Sequence, residues 1–113
     1  MKKIALLTVA RSDWGILCPL AARIQSTPGL ELVLIAGGAH QAAAFGHTLD
    51  EILADGFTPS AILDLAPESD TAVAIAQAMG ATTAGLAPVL QRLGPDVVVA
   101  LGDRAEMLAA ALA

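Results

Sequence analysis

Four short apolar segments, separated by stretches with helical character, constrain the fold of this chain more than any other feature. Residues 3–10 (KIALLTVA) and 30–36 (LELVLIA) are continuous apolar runs without the 3.6-residue period of a helix. Residues 96–101 (DVVVAL) form the clearest run because it is rich in β-branched side chains, and residues 60–65 (SAILDL) form the weakest. Such runs are typical of strands that are buried on both faces of a parallel sheet.

Helical segments connect and follow the predicted strands. They carry apolar residues at helical spacing, or a capping residue at one end and a glycine at the other. We predict helices over residues 15–25, 48–55, from about 70 to 93, and 104–113. Thr48 is the predicted N-cap of the second helix, and Gly56 follows its end. The third helix is predicted to be interrupted near Gly80 or Gly85 and to end at Gly94-Pro95. Strands that alternate with helices predict an α/β fold with a doubly wound, Rossmann-like parallel sheet.

The connections that follow the first and fourth strands are the place to look for a ligand. In doubly wound sheets, ligands bind outside the carboxyl ends of the strands, where the connections leave in opposite directions. In the common 3-2-1-4 strand order, residues 11–15 and 102–104 open into one crevice. Helix N-termini there would present unpaired N–H groups, which suit an anionic ligand.

Composition excludes several classes of protein. The 113 residues, 56% of them hydrophobic and 15% charged, fit one domain with a real core. Six Lys+Arg against eleven Asp+Glu give a net charge of −5, which argues against nucleic acid as a partner. One cysteine and two histidines without zinc-site spacing predict a cytoplasmic, metal-free protein.

Two segments imitate membrane signals. Residues 1–10 resemble a signal peptide, but Arg11 and Asp13 follow the apolar run directly, so a buried strand explains it better. Residues 71–91 carry no charge and are long enough to span a bilayer. Since they are mostly Ala, Thr, Gly and Gln, which insert poorly, we predict a helix packed on the sheet and no membrane partner.

The loop after the first strand, residues 10–15 (ARSDWG), lacks the G-x-G-x-x-G fingerprint, and no P-loop motif occurs in the chain. Instead, Arg11 follows the first strand and Asp103-Arg104 follows the fourth. An arginine can hold a diphosphate through two hydrogen bonds. The alternatives are that Arg11 lies over the sheet edge and that Asp103 caps the last helix.

Three further side chains have a functional and a structural interpretation. His40 could contact a sugar or move a proton, or could be an ordinary loop histidine. Trp14 could stack on a ring, although hydrophobic packing is the commoner role of a lone tryptophan. We expect Cys18 to be an inert part of helix packing.

Four blocks of sequence occur in order across nearly the whole chain. They are residues 11–20 (RSDWGILCPL), 38–40 (GAH), 45–57 (FGHTLDEILADGF) and 101–110 (LGDRAEMLAA). Together they resemble the hydrolysing UDP-N-acetylglucosamine 2-epimerases, above all the sialic-acid branch, whose members read R-A-D-Y-G, G-x-H, F-G-x-T-x-x-E-I-x-x-D-G-F and G-D-R-x-E-x-L.

The resemblance implies a two-domain fold of the glycosyltransferase-B type, of which residues 1–113 are the first half of the N-terminal domain. The C-terminal UDP-binding domain is then absent from this chain, and the second catalytic carboxylate lies beyond Ala113. The expected whole enzyme is a cytoplasmic homo-oligomer, a dimer or tetramer, without cofactor or metal. The 113-residue chain alone is expected to be inactive.

The implied reaction converts UDP-N-acetylglucosamine to UDP and N-acetylmannosamine through a 2-acetamidoglucal intermediate. By resemblance, Asp103 matches the catalytic aspartate, and Arg11, Gly15 and Arg104 match positions near the UDP phosphates or the sugar. His40 matches the loop histidine of the family.

This chain departs from the family pattern at Gly15, which is often serine, at Trp14, which replaces a tyrosine, and at Ala105, which replaces a phenylalanine. Two other functions stay open. One is a different UDP-sugar enzyme of the glycosyltransferase-B fold, and the other is a non-catalytic, flavodoxin-like binding domain.

Overall fold

The computed structural model of the chain describes residues 2–8, 11–37, 48–63 and 71–101. Strands and helices alternate along these residues. In chain order they are β1 (Lys2–Thr8), α1 (Arg11–Gln25), β2 (Leu30–Gly37), α2 (Thr48–Ala54), β3 (Ala61–Leu63), α3 (Ala72–Leu93) and β4 (Val97–Val99). All four predicted strands and the first three predicted helices are confirmed, whereas the helix predicted over residues 104–113 lies outside the described residues.

The strands form one parallel sheet in the order β3-β2-β1-β4. β1 pairs with β2 along its whole length, from Lys2 opposite Leu30 to Thr8 opposite Ala36. On its other edge β1 pairs with β4, where Leu6 lies opposite Val99. The 3-2-1-4 strand order is therefore confirmed.

Successive side chains of a strand point to opposite faces of the sheet, so these apolar strands supply apolar side chains to both faces. Helices cover both faces and bury those side chains. On one face, Leu6 and Leu34 are buried with residues of α1 and α2. On the other face, Leu7 and Ile35 are buried with Leu86 of α3. Each such side chain contributes roughly 1.5–3 kcal/mol through its burial. The predicted doubly wound architecture is confirmed.

Helix α1 begins at Arg11, four residues before the predicted start, and contains Pro19 in its interior. Residues 11–14 have no apolar periodicity of their own, so the sequence pattern could not extend the helix to this point. A proline at position 19 cannot supply the N–H that the carbonyl group of Gly15 would accept in a regular helix.

Helix α3 is continuous, so the predicted interruption near Gly80 or Gly85 is wrong. An interior glycine costs about 1 kcal/mol relative to alanine but removes no helical hydrogen bond, and the other residues of the helix outweigh that cost. The Thr71 hydroxyl caps the first turn by accepting a hydrogen bond from the N–H of Ala74. Gly94 ends the helix in the left-handed conformation, as predicted.

By length and composition alone, α3 could cross a membrane, whereas we predicted from the sequence that only its length meets this requirement. Its C-terminal half packs on the sheet, where Leu86 is buried and Val89 and Leu90 contact the same core cluster. Its N-terminal half exposes apolar side chains, among them Val73 and Ile75. The packing predicted for this helix is thus present in its second half.

Lys3 joins β1, α3 and β4 at the amino end of the sheet. Its backbone N–H donates to Oδ2 of Asp96 (2.7 Å), and its carbonyl group accepts from the N–H of Asp96 (2.8 Å). Its ammonium group donates to the carbonyl group of Leu93 (3.1 Å) in the last turn of α3. These bonds fix where β4 starts beside β1, and thereby which residues meet at the other end.

We predict that Gly37, the last residue of β2, must remain glycine. A Cβ atom at Gly37 would lie 2.9 Å from the backbone oxygen of Leu63, which is too close. We expect Gly37→Ala to lower the free energy of unfolding by about 1–3 kcal/mol through overpacking. Urea denaturation of the purified protein measures this effect.

Gly80→Ala is the matched control, because a Cβ atom at Gly80 meets no other atom within 4 Å. This change should raise the free energy of unfolding by up to about 1 kcal/mol, since alanine is the better helix former. Equal stabilities of the two variants would contradict the close approach between β2 and β3.

Candidate functional site

The carboxyl ends of β1 and β4 lie side by side. Since Leu6 is opposite Val99, the chain leaves both strands at the same edge of the sheet, where neighbouring strands are about 4.8 Å apart. Successive strands lie on one side of β1 as far as β3, and β4 then lies on the other side of β1, so the strand order reverses between β1 and β4. α1, which follows β1, packs on one face of the sheet, and α3, which precedes β4, packs on the other. The predicted crevice is therefore at the topological switch point of the fold.

Two of the five predicted site residues fall on described backbone. Arg11 is the first residue of α1 and follows β1 by three positions, and Gly15 lies in the next turn of the same helix. Both lie near the start of the helix that follows β1, and β1 is the strand that pairs with β4. His40, Asp103 and Arg104 lie outside the described residues, so their roles stay predictions.

Gly15 is exposed, and a Cβ atom built on it would meet nothing within 4 Å. A small side chain fits at this point without displacing a neighbour. The helix can therefore accept the serine that the resemblance associates with this position.

Trp14 belongs to the core. Only 2% of it is exposed, and its ring meets that of Phe57 edge to face with centroids 5.4 Å apart. Its indole Nε1–H donates to Oδ2 of Asp55 (3.0 Å). Of the two interpretations of Trp14, the structure selects packing, because a buried ring in this position is not available to stack on a ligand.

The partner of Trp14 lies in the cap that ends α2. The N–H of Gly56 donates to the carbonyl group of Leu53, and the N–H of Phe57 donates to that of Ile52. With Gly56 at a φ of 90°, this is the Schellman arrangement, in which residues such as Phe57 and Ile52 also pack together. The prediction that Gly56 ends the helix is confirmed. The role of Asp55 was missed, because nothing in the local pattern connects it to residue 14.

Cys18 lies one turn after Trp14, and its Sγ atom is 3.8 Å from the same Asp55 oxygen. The thiol is partly buried and packs against the core cluster between the sheet and α1. Burial raises the pKa of the Cys18 thiol, and the negative charge of Asp55 and its hydrogen bond raise it further. A raised pKa leaves less thiolate, as expected for an inert packing residue.

Comparison with known proteins identifies the family. The sequence model of the family described as UDP-N-acetylglucosamine 2-epimerase matches residues 22–113. The chain belongs to this epimerase family. It is 34% identical over 113 residues to a UDP-N,N'-diacetylbacillosamine 2-epimerase (hydrolyzing) from Legionella pneumophila, covering 100% of this chain and 30% of that protein. It is 32% identical over 111 residues to the UDP-N-acetylglucosamine 2-epimerase of Neisseria meningitidis, covering 98% of this chain and 29% of that protein. The chain thus spans less than a third of the length of these relatives.

Solved structures of epimerases share the fold. A protein from Listeria monocytogenes described as a UDP-N-acetylglucosamine 2-epimerase superposes with a TM-score of 0.83 at 23% identity, covering 99% of this chain and 28% of that one. The UDP complex of MnaA from S. aureus gives a TM-score of 0.82 at 23% identity, covering 99% of this chain and 27% of that one. The predicted Rossmann-like fold of glycosyltransferase-B type is thereby confirmed for this member of the family.

The electrostatics of Cys18 predict slow alkylation. We expect iodoacetamide to modify Cys18 of the native protein more slowly than a free cysteine at about pH 8, because the raised pKa reduces the thiolate fraction. Asp55→Asn removes the neighbouring charge, lowers the Cys18 pKa towards its ordinary value, and should raise the rate above that of the wild-type protein. Mass spectrometry of the Cys18 peptide measures the rate.

Glu31→Gln is the control, since it removes an acidic charge from β2, where the carboxylate pairs with Lys3. This variant should alkylate like the wild-type protein. If Asp55→Asn alkylates no faster than Glu31→Gln, then Asp55 does not contribute to the Cys18 pKa.

Proposed function

We propose that this chain is the first half of the N-terminal domain of a hydrolysing UDP-N-acetylglucosamine 2-epimerase, which forms UDP and N-acetylmannosamine for the synthesis of sialic-acid-type sugars. The match of the family model to residues 22–113 carries the proposal. Relatives whose names include the hydrolysing reaction support the subtype.

The proposed reaction has two steps. A carboxylate removes the proton on C2 of the sugar, the electron pair forms a C1=C2 double bond, and the C1–O bond breaks with its electrons on UDP. Water then adds its hydroxyl group to C1 and a proton to C2, so that the configuration at C2 is inverted. Because the C2 proton is hardly acidic, the C1–O bond must break early, and negative charge grows on the diphosphate.

Arg11, Arg104 and the N-terminus of α1 would stabilise that charge. The N–H groups of a first helical turn favour an anion, and arginine adds a fixed positive charge with two donors. The position of Arg11 as the first residue of α1, after the strand that pairs with β4, supports this role. Asp103, in the segment that follows β4, is the proposed carboxylate, and His40 the proposed sugar contact.

Exposed side chains on β4 support the proposal that the sheet continues in a longer protein. β4 has the composition of a buried strand, but 50% of Val97 and 38% of Val98 are exposed. In a doubly wound domain, further helices and strands would cover both residues. The second carboxylate and most uridine contacts would come from those later parts.

A sugar with a second acetamido group is the other candidate substrate. The Legionella relative and a GDP/UDP-N,N'-diacetylbacillosamine 2-epimerase from Campylobacter jejuni are 34% and 33% identical to this chain, against 32% for the Neisseria enzyme. The chemistry at C1 and C2 is the same for both sugars. Contacts to the rest of the sugar would distinguish them.

Proton NMR of the complete protein with UDP-N-acetylglucosamine tests the proposal. We expect UDP and N-acetylmannosamine to appear, and Asp103→Asn to reduce kcat by roughly 100-fold to 10,000-fold, because the variant cannot take up the proton. UDP-N,N'-diacetylbacillosamine is the parallel substrate. Turnover of that sugar alone would favour the second candidate, and turnover of neither would contradict an epimerase reaction on these substrates.

We predict that a hydroxyl group introduced at position 15 strengthens UDP binding. Both Gly15→Ala and Gly15→Ser should fold normally, because the Cβ atom meets open space. Only the serine can donate to a phosphate at the start of α1, so only Gly15→Ser should lower the Kd for UDP, by about threefold to tenfold for one hydrogen bond. Calorimetric titration of the complete protein measures both values. Equal Kd values for the two variants would place the diphosphate away from Gly15.

A further inference from the structure

Asp55 lies where the start of α1 meets the end of α2. Its Oδ2 atom accepts the indole N–H of Trp14 (3.0 Å) and is contacted by Sγ of Cys18 (3.8 Å). Trp14 and Cys18 are four residues apart and therefore lie on the same face of α1. One carboxylate thus contacts two successive turns of this helix.

The backbone that carries Asp55 is fixed by its own hydrogen bonds. Its N–H donates to the carbonyl group of Glu51 (3.0 Å), and the next two N–H groups close the Schellman cap on Leu53 and Ile52 (3.1 and 3.2 Å). Phe57 and Ile52 are buried in the same core cluster. The carboxylate therefore extends from an ordered helix end, which can hold a partner in place.

Trp14 transmits this fixed position to the start of α1. It is three residues after Arg11 and adjacent to Gly15. The other buried residues of α1, which are Leu17, Ala21 and Ile24, come later in the helix. Among the described side chains of α1, Trp14 is therefore the buried one nearest the start of the helix, and it contacts Asp55 and Phe57.

We propose that Asp55 is a positioning residue, which sets the start of α1 through Trp14 so that Arg11 and the helix N-terminus meet the diphosphate of the substrate. This inference rests on the proposed function, because the diphosphate is the ligand of that function. A carboxylate suits the task, since a hydrogen bond to an ionised acceptor is about twice as strong as one between neutral groups. Asp55 itself need not touch the substrate.

The test compares three variants of the complete protein. Asp55→Ala removes the acceptor, Trp14→Phe removes the donor but keeps a ring, and Asp55→Asn keeps an acceptor oxygen. We expect Asp55→Ala and Trp14→Phe each to lower kcat/KM by about fivefold to twentyfold and to weaken UDP binding, because small displacements of binding groups are costly. Asp55→Asn should stay within about twofold of wild type. The double variant Asp55→Ala, Trp14→Phe should be no worse than the poorer single variant.

Hydrogen exchange of residues 15–17 reports how often the first turn of α1 opens, because in a regular helix their N–H groups donate to the carbonyl groups of residues 11–13. These amide groups should exchange about tenfold faster in Asp55→Ala and Trp14→Phe than in wild type, because the first turn opens more often. Leu86→Ala is the matched control. Leu86 is buried on the opposite face of the sheet, so its loss should lower the Tm without changing kcat/KM or the exchange of residues 15–17.

The outcomes separate the two proposals. If Asp55→Ala and Trp14→Phe lower only the Tm, as Leu86→Ala does, Asp55 is merely structural and the inference is wrong. If Asp55→Ala does not fold, Trp14→Phe carries the test, since it keeps the core ring. If the wild-type protein neither binds UDP nor turns over the sugars, the proposed function is wrong, and the exchange rates still show whether Asp55 holds the helix start.

Discussion

Strand β1 is hydrogen-bonded on both edges and buried on both faces, and the rest of the structure depends on it. Leu6 and Leu7 supply one side chain to each core cluster, while the backbone pairs with β2 and β4. Lys3 fixes the amino end against β4. Because α1 starts at the other end, any error in the register of β1 would move the helix N-terminus away from the end of β4. The packing of the core and the position of the candidate site thus both depend on β1.

Sequence blocks shared with a family of enzymes do not all perform chemistry. The block that ends in Asp55-Gly56-Phe57 forms a helix cap, and Phe57 packs against Trp14 from another block. In our proposal, these residues act on the site through the position of α1. A motif would therefore contain residues that contact the substrate, such as Arg11, and other residues that hold those contacting residues in place.

Most of the fold could be predicted from the sequence, because apolar runs and glycine signals act locally. Gly56 and Gly94 ended helices as expected, and the strand order followed the common pattern. The start of α1 was missed because polar residues without periodicity precede Trp14, and the bond of Trp14 to Asp55 was missed because 41 residues separate them. For the candidate site, the structure placed the start of α1 after β1, the strand that pairs with β4, while the roles of Arg11 and Asp103 still rest on resemblance.

The distribution of basic residues explains how a chain with a net charge of −5 could bind a diphosphate. Four of its six Lys and Arg residues lie at the amino end of the sheet, two on β1 and two in the last turns of α1 and α3. A positive charge in the last turn also stabilises a helix, because the C-terminus of a helix carries partial negative charge. These four are Lys2, Lys3, Arg23 and Arg92. The remaining two, Arg11 and Arg104, come soon after β1 and β4 in the chain. Since exposed charges are screened beyond about 8–10 Å, the net charge matters less to a phosphate than which side chains are nearest. At the carboxyl edge, the nearest cations would be these two arginines, and the N–H groups at the start of α1 would add partial positive charge. Asp103 would add the carboxylate that the proton transfer needs.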